Sequence, residues 1–392
     1  MRLLHTSDWH LGRSFHGVGM LDAQRAFIDQ LITFVRDEAV DVVLIAGDVY
    51  DRALPGVDVV RLLDDALVGL TGAGAEVVLT SGNHDSAIRL GFASRLLERG
   101  GVHLRTRLTE LDQPVLFPLD AADPDAGPVL AVYGIPWLEP RLVAEQLGAD
   151  TASHFEVTRA ATARIRADLA ARAGTRTVHS VVLAHTFASG GISSDSEREL
   201  SIGGVGAVPL DLFDGFGYTA LGHLHGRQEL TPAVRYSGSP LAYSFSEARH
   251  KKGSWLVDVD TAGIGAVREV LWEAPRTLAV LRGKLEDLLL AEDHAWAESA
   301  YCQITLTDAQ RPAQAMERLR SRFPDTLVLG FDPEGAGAAA TTSYSSRLAE
   351  AEDDLSVCCG FLEHVRGRDA DVGEAAVLAE ALESVRLEGI SL

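Results

Sequence analysis

Short apolar runs alternate with stretches of helical periodicity along the first 275 residues. "RLLHTSD" predicts a strand that runs into a polar turn. From Leu21 to Val40, the residues Phe27, Ile28, Leu31, Phe34 and Val35 recur at helical spacing. "DVVLIAGD" predicts a continuously apolar strand, followed by a helix over Val57 to Leu70. "EVVLTSGNHD" predicts the next strand, followed by a helix over Ala87 to Arg99. This βαβαβα order favours an α/β fold with helices on the faces of a sheet. "PVLAVYGI", "SVVLAHT" and "GYTALGHLHG" read as later strands, with a long helix near Phe155 to Arg172 among them. "GSWLVDVDTAG" and "GAVREVLWE" predict a closing hairpin.

The pattern restarts after about Pro275. A helix near Lys284 to Glu292, the strand "YCQITLT", a helix near Ala313 to Arg322 and the strand "TLVLGF" predict a small α+β unit. "DPEGAGAAATTS" reads as a Gly/Ala linker, and the tail from Ser345 as helical and acidic. In that tail Val377, Leu378, Leu382 and Val385 form an apolar stripe on a helix near Gly373 to Leu387.

Composition narrows the class. The 392 residues suffice for two or three domains, and 46% hydrophobic with 23% charged residues suits a soluble globular protein. Cys302, Cys358 and Cys359 have neither disulfide-framework nor zinc-finger spacing, which suits a reducing compartment. The start "MRLLHTSDWH" is too quickly interrupted by His and Asp for a signal peptide, and no apolar run is long enough to span a membrane. A cytoplasmic protein is expected. The formal net charge is −21, and from Glu273 onward 22 acidic residues face 11 basic ones. Non-specific affinity for nucleic acid comes mainly from Lys and Arg on phosphates. Strong binding by this chain alone is therefore not expected, although a metal site or a basic partner could supply the attraction.

The candidate chemistry sits at the ends of the predicted strands. "SDWH" (Asp8, His10), "GD" (Asp48), "GNHD" (Asn83, His84), "AHT" (His185) and "GHLH" (His223, His225) each close an apolar run. Ligands of open α/β sheets bind at the carboxyl ends of strands, so these five segments can converge on one pocket. Imidazole with carboxylate suits two divalent metals, and the N/O mixture leans toward Mn²⁺, Fe²⁺ or Zn²⁺ rather than Mg²⁺. In Asp8-x-His10 and His223-x-His225 the period of a strand would put both side chains on one face. Asp48 can bridge ions roughly 3.5–4 Å apart. With only Asp8 and Asp48 as ligating carboxylates, two such ions keep an excess of positive charge that would attract a phosphodiester. Any one of these motifs alone is more often a satisfied turn than a site; five in this order are not. His5, His16, His103, His154, His179, His250, His294 and His364 lack that context and read as surface or core residues. "RHKK", Arg249 to Lys252, reads as a solvated hairpin loop. Asp85 reads as a turn or helix N-cap residue with a role in orienting a neighbour.

The order of motifs resembles the calcineurin-like metallophosphoesterases. "LLHTSDWHLGR", "GDVYDRALP", "SGNHDS", "GHLHG" and "YSGSPLAYSFSE" are similar to the SbcD-type nucleases, the bacterial counterparts of Mre11. The resemblance covers residues 1–275 by motif and the remainder by domain order. "GDVYDR" is also similar to protein phosphatases, but Ala53 and Asp85 depart from their pattern. The resemblance implies a four-layer α/β/β/α nuclease domain over 1–274, a small α+β capping domain over 275–335, and a linker with a helical ATPase-binding segment over 336–392. It implies one metal held by Asp8, His10, Asp48 and His225, and a second by Asp48, Asn83, His185 and His223. His84 would not be a ligand; it would protonate the leaving group or stabilise the transition state. Asp51 stands where Mre11-type relatives carry a second histidine. The implied activity is 3′→5′ exonuclease action on duplex DNA ends and endonuclease action on hairpins or single strands, with Mn²⁺ as the expected metal. The implied partner is an SbcC-type ABC ATPase, in a heterotetramer built on a homodimer. The chain itself contains no G-x-x-x-x-G-K-[ST] motif, so ATP-driven action must come from that partner.

Overall fold

Two six-stranded sheets pack face to face, and helices cover their outer surfaces. This computed structural model describes residues 1–195, 197, 206–334, 354–366 and 368–389. The first sheet has the order Gly263–Leu271, Gly253–Asp260, Arg2–Thr6, Val42–Ala46, Glu76–Thr80, Val102–Leu104. Its last four strands are parallel, and the hairpin at the other edge is antiparallel. The second sheet has the order Gln228–Thr231, Val234–Tyr236, Tyr218–Gly222, Val178–His185, Val129–Ile135, Val115–Pro118. Its four inner strands are parallel and its two edge strands antiparallel.

Strands buried on both faces are apolar at nearly every position, which is why these segments read as nearly continuous apolar runs. Leu3, Val42, Leu44 and Val78 meet Leu130, Val132, Val181, Leu183, Tyr218 and Ala220 of the second sheet in the layer between the sheets. The alternate residues Leu4, Val43, Ile45, Val77 and Leu79 face outward onto Phe27, Ile28 and Leu31 of helix Leu21–Asp37 and Leu62, Leu63 and Ala66 of helix Val57–Gly72. On the far side Tyr133, Val182 and Ala184 pack against Val157, Ala161 and Ile165 of helix His154–Ala173. The order of layers is therefore α/β/β/α. Full burial of one such aliphatic side chain is worth about 1.5–3 kcal/mol, and the three apolar layers fix the spacing of the sheets. His5 lies in the middle layer, with Nδ1 2.9 Å from the Tyr218 hydroxyl and Nε2 donating to the Leu221 carbonyl at 3.1 Å. Burial pushes its pKa down to about 3, so it is a neutral core residue.

Several predicted boundaries shift. The helix expected over Ala87 to Arg99 is broken into Ala87–Leu90, Ser94–Leu97 and a 3₁₀ turn at Glu98–Gly100, with Ala93 in the left-handed region. Gly91 is the cause: it has low helix propensity, and Thr106 takes the space a Cβ would fill. The helix expected near Lys284 to Glu292 covers Leu285–Leu290, and the one near Ala313 to Arg322 covers Ala315–Arg320. The short strands Val102–Leu104, Val115–Pro118, Gln228–Thr231 and Val234–Tyr236 and the helix Pro140–Leu147 are too brief or too irregular for periodicity to reveal.

A third sheet orders Leu278–Gly283, Tyr301–Leu306 and Thr326–Phe331. The chain divides into two compact units, one of Met1–Leu281, Leu289–Ile304 and Met316–Leu329, the other of Arg282–Leu288, Thr305–Ala315 and Gly330–Leu392. In the second unit helices Asp354–Arg366 and Val372–Gly389 pack on each other. The second of these starts with a reciprocal cap: Glu374 N–H donates to Asp371 Oδ1 at 2.9 Å and Asp371 N–H to Glu374 Oε2 at 3.0 Å. The Gly/Ala linker from Gly335 and the start of the tail to Asp353 lie outside the described residues, as does the side chain of Val385. No helix among the described residues is long and apolar enough to cross a membrane.

The two sheets come closest where their parallel strands end. A Cβ added to Gly222 would lie 1.9 Å from the Ala46 carbonyl oxygen and 2.9 Å from Ser7 Cβ, and Ala46 O is backbone that has no room to retreat. Gly222→Ala should cost about 1–3 kcal/mol by overpacking. The expected result is a melting temperature lower by roughly 2–5 °C; an unchanged melting curve would refute this close approach.

Candidate metal centre

All five candidate segments lie at this same pole. Asp8 and His10 follow strand Arg2–Thr6, Asp48 follows Val42–Ala46, and Asn83 and His84 follow Glu76–Thr80. His185 is the last residue of Val178–His185, and His223 and His225 follow Tyr218–Gly222. Parallel neighbours end at the same edge, so a sheet built this way delivers every loop to one place.

The alignment within Asp8-x-His10 and His223-x-His225 does not come from strand period. Asp8 (φ 53°), His10 (φ 45°), Asp48 (φ 48°) and His223 (φ 111°) lie beyond their strands with positive φ. Such backbone costs of order 1–3 kcal/mol per non-glycine residue unless the surroundings hold it. Here they do. Asp8 N–H donates to Gly47 O at 3.0 Å, His10 N–H to Asp48 O at 2.9 Å, and Leu11 N–H to Val49 O at 2.9 Å. His223 N–H donates to Asp8 Oδ1 at 3.0 Å, and His84 N–H to Asp48 Oδ1 at 2.9 Å. Gly82 is required beside Asp48, because a Cβ there would overlap its Oδ1 and backbone nitrogen.

The side chains form overlapping groups in which Asp8, His10 and Asp48 each recur. His10 Nε2 is 3.0 Å from His225 Nε2 and 3.6 Å from Asp48 Oδ2. Ligand atoms of Asp8, His10 and His225 lie within 4.8 Å of one another, as do those of Asp8, Asp48 and His185. His185 Nε2 is 3.4 Å from Asp48 Oδ2 and 3.0 Å from Asn83 Oδ1, and His223 Nδ1 is 3.2 Å from Asn83 Oδ1. His84 is near enough to His10 and Asp48 to complete a third such triad. Its Nδ1 is 2.9 Å from the Asp51 carbonyl, which can only accept, so Nδ1 carries the hydrogen and Nε2 is the free nitrogen.

Burial governs the protonation states. It pushes Asp8 up to about 6 and holds His10 and His223 down at about 3, which leaves those imidazoles neutral with lone pairs to offer. Burial would also depress His185, but the Asp48 carboxylate outweighs it and lifts His185 to about 9. Burial opposes ionisation of Asp48 as well; His185 and His10 overcome it and keep that carboxyl well below its usual range. Two carboxylates and several lone pairs removed from water within a few ångströms need cations among them. Facing nitrogens on His10 and His225, with N and O donors around a shared carboxylate, fit a pair of divalent ions.

Residues beyond the strand ends hold these donors. The Asp85 carboxylate accepts from the backbone N–H groups of Val49 (3.1 Å), Tyr50 (2.9 Å) and Gly82 (2.9 Å), tying the Asp48 loop to the Asn83 loop. It is not a helix cap; Ser86 occupies that position. Burial and the nearby Asp48 charge raise Asp85 to about 7. Asp51 lies 3.5 Å from His10 Nδ1 and 3.7 Å from Arg13. Gln24 donates to His10 O at 2.7 Å and accepts from Gly12 N–H at 2.9 Å, while the Tyr243 hydroxyl donates to Trp9 O at 2.5 Å. Trp137 stacks on His223 with ring centroids 5.6 Å apart. Sequence reasoning misses Gln24, Glu197, Tyr243 and Glu247, because none ends an apolar strand, and Trp137, which follows strand Val129–Ile135 but carries no ligating or acid–base group. The "YSGSPLAYSFSE" stretch, which contains Tyr243 and Glu247, is the available signal. Lys252 corrects the reading of "RHKK": it is not a solvated loop residue but is buried, and it donates to His225 O and Ser239 Oγ, each at 2.9 Å.

Residues 1–227 match the family of calcineurin-like phosphoesterases, and residues 274–365 match the SbcD C-terminal family, described as the type 5 capsule protein repressor C-terminal domain. Among solved structures, a dimetal phosphatase from Danio rerio is similar at 12% identity and a TM-score of 0.41, over 70% of this chain and 99% of that one. TT1561 of Thermus thermophilus is similar at 14% identity and a TM-score of 0.39, over 68% of this chain and 98% of that one. GAP50, the anchor in the inner membrane complex of Plasmodium, is similar at 10% identity and a TM-score of 0.38, over 85% and 98%. With its strand-end motifs and more than half of its length inside the matched region, the chain belongs to the calcineurin-like phosphoesterase family and carries an SbcD-type C-terminal domain.

Proposed function

We propose that this metal-dependent phosphodiesterase is a DNA nuclease subunit acting with an SbcC-type ABC ATPase, as a 3′→5′ exonuclease on duplex ends and an endonuclease on hairpins and single strands. The observation that carries the reading is the succession, in one chain, of a phosphoesterase region and an SbcD-type C-terminal domain. A small-molecule phosphodiesterase has no need of the second. The reading divides the chain into a nuclease domain (1–274), a capping domain (275–335) and a linker with an ATPase-binding helical segment (336–392), and places it in the cytoplasm.

Asp8, His10, Asp48 and His225 would hold one ion, and Asp48, Asn83, His185 and His223 the other. The N/O donor mixture suits Mn²⁺, Fe²⁺ or Zn²⁺ better than Mg²⁺, and the resemblance to SbcD-type nucleases implies Mn²⁺. Bound there, the ions would lower the pKa of a water and offset charge on the phosphoryl oxygens. The chain's own residues do the remainder. Asn83 contributes a neutral oxygen, so the pair keeps positive charge for the phosphodiester. His84 has Nδ1 anchored on the Asp51 carbonyl, and it is only half-buried. Its Nε2 is therefore free to carry a proton to the leaving oxygen. Leu54, Val57, Ile88, Phe92 and Leu96 are exposed apolar side chains on two neighbouring segments, joined by the hydrogen bond from Arg89 to Ala53 O at 3.2 Å. We assign this face to the homodimer at the centre of a heterotetramer with the ATPase.

Variants and alternative substrates test the reading. His84→Gln should keep two Mn²⁺ per chain by metal analysis yet cleave a DNA hairpin about 10²–10⁴-fold more slowly, the usual worth of a general acid; loss of an ion would make His84 a ligand instead. Asp48→Ala should lose both ions and all cleavage, and full activity would sink the mechanism. Hydrolysis of p-nitrophenyl phosphate by the wild type without any cleavage of DNA would point to a phosphatase. Phe92→Arg should convert a dimer to a monomer in light scattering at micromolar concentration, and an unaltered mass would remove that face from the interface.

A further inference from the structure

His225 is gripped on the side that faces away from the other donors. Its Nε2 meets His10 Nε2 at 3.0 Å, whereas its Nδ1 lies 3.3 Å from Glu247 Oε1. Its backbone N–H donates to Glu197, and its carbonyl accepts from Lys252 Nζ at 2.9 Å. Lys252 also donates to the second carboxylate oxygen of Glu247 and to Ser239 Oγ, the latter at 2.9 Å. Glu247 is 1% exposed and Lys252 9%. A buried ion pair is a poor source of stability, since well-packed apolar residues do as well or better. Its presence beside a candidate ligand calls for another account.

We propose that Glu247 is the positioning residue for His225, and that Lys252 is the counter-ion that locks Glu247 and tethers the His225 backbone. A ligating imidazole gives its other N–H to a carboxylate or a carbonyl, which fixes its tautomer and makes it a stronger donor. Glu247 takes Nδ1–H, so the lone pair on Nε2 is aimed at the cluster. The arrangement is unequal across the cluster. His185 Nδ1 backs onto the Ala46 carbonyl at 2.9 Å, whereas His10 Nδ1, 3.5 Å from Asp51 Oδ1, makes no hydrogen bond among the described residues. Of these three imidazoles, His225 is the one hydrogen-bonded to a carboxylate. The inference rests on the proposed metal assignment and adds that Glu247 controls one ion and not the other.

The test is a Mn²⁺ titration of metal-stripped full-length protein, followed by calorimetry and electron paramagnetic resonance. Wild type should bind two ions and give the spectrum of a coupled pair. Glu247→Gln should weaken one ion about 10–100-fold, the usual effect of losing such a partner, so that at limiting Mn²⁺ the spectrum becomes that of isolated ions. Glu247→Ala should weaken the same ion further, because glutamine can still accept from Nδ1. Glu247→Gln with Lys252→Met removes both charges together and avoids stranding a buried ammonium. It should fold and show the same loss at a single ion. Two ions bound with wild-type affinity in either Glu247→Gln variant would overturn the inference, as would equal weakening of both ions accompanied by a lower melting temperature. Wild-type protein that binds fewer than two ions would overturn the metal assignment, and this inference with it.

Discussion

The structure at the active pole depends on one constraint: two carboxylates and four imidazoles are held out of water within a few ångströms of each other. Left alone, such a group would swell apart or take up protons, and the second tendency is visible in the raised Asp8 and the elevated His185. The chain resists them with backbone. Positive φ at Asp8, His10, Asp48 and His223 is maintained by hydrogen bonds between loops from different strands. Those loops meet because the parallel strands beneath them end level with one another. The three apolar layers then act as the foundation that keeps the strand ends at a fixed distance.

Much of this is legible in the sequence. Nearly continuous apolar runs betray strands buried on both faces, and the residues immediately after them are the ones to inspect. Asp8, His10, Asp48, Asn83, His84, His185, His223 and His225 follow from that rule, and the structure gathers all eight at one pole. The rule fails for residues that reach the site from elsewhere. Gln24 comes from a helix and Glu247 from a 3₁₀ turn. Lys252 sits among charged neighbours that suggest a solvated loop, and only its contacts with His225 and Glu247 reveal a buried cation. The geometry of Asp8-x-His10 has a different origin from the one its spacing suggests. Spacing of two along a strand gives a shared face, but here left-handed turns create it.

Charge separates the roles along the chain. The last third is strongly acidic, and so is the chain as a whole. Attraction for the proposed DNA substrate would therefore be local. The buried pole concentrates donors where cations would sit, while the exposed apolar residues at Phe92 and its neighbours and the capped helix after Asp371 offer surfaces of a different kind. The proposed function would divide chemistry at the sheet ends from association elsewhere.

The tie made by Asp85 has one more consequence. It accepts three N–H groups from two loops, and Gly222 is pressed against Ala46, so the pole has little freedom to fold over a bound molecule. A site that does not wrap its substrate relies on the substrate to bend toward it. For the proposed DNA, the cost of unstacking and kinking depends on the nucleic acid itself. Hairpin tips, frayed ends and unpaired stretches bend easily, whereas an intact duplex interior does not. Selectivity for damaged or terminal DNA would then be a mechanical property of the substrate, read by a rigid enzyme.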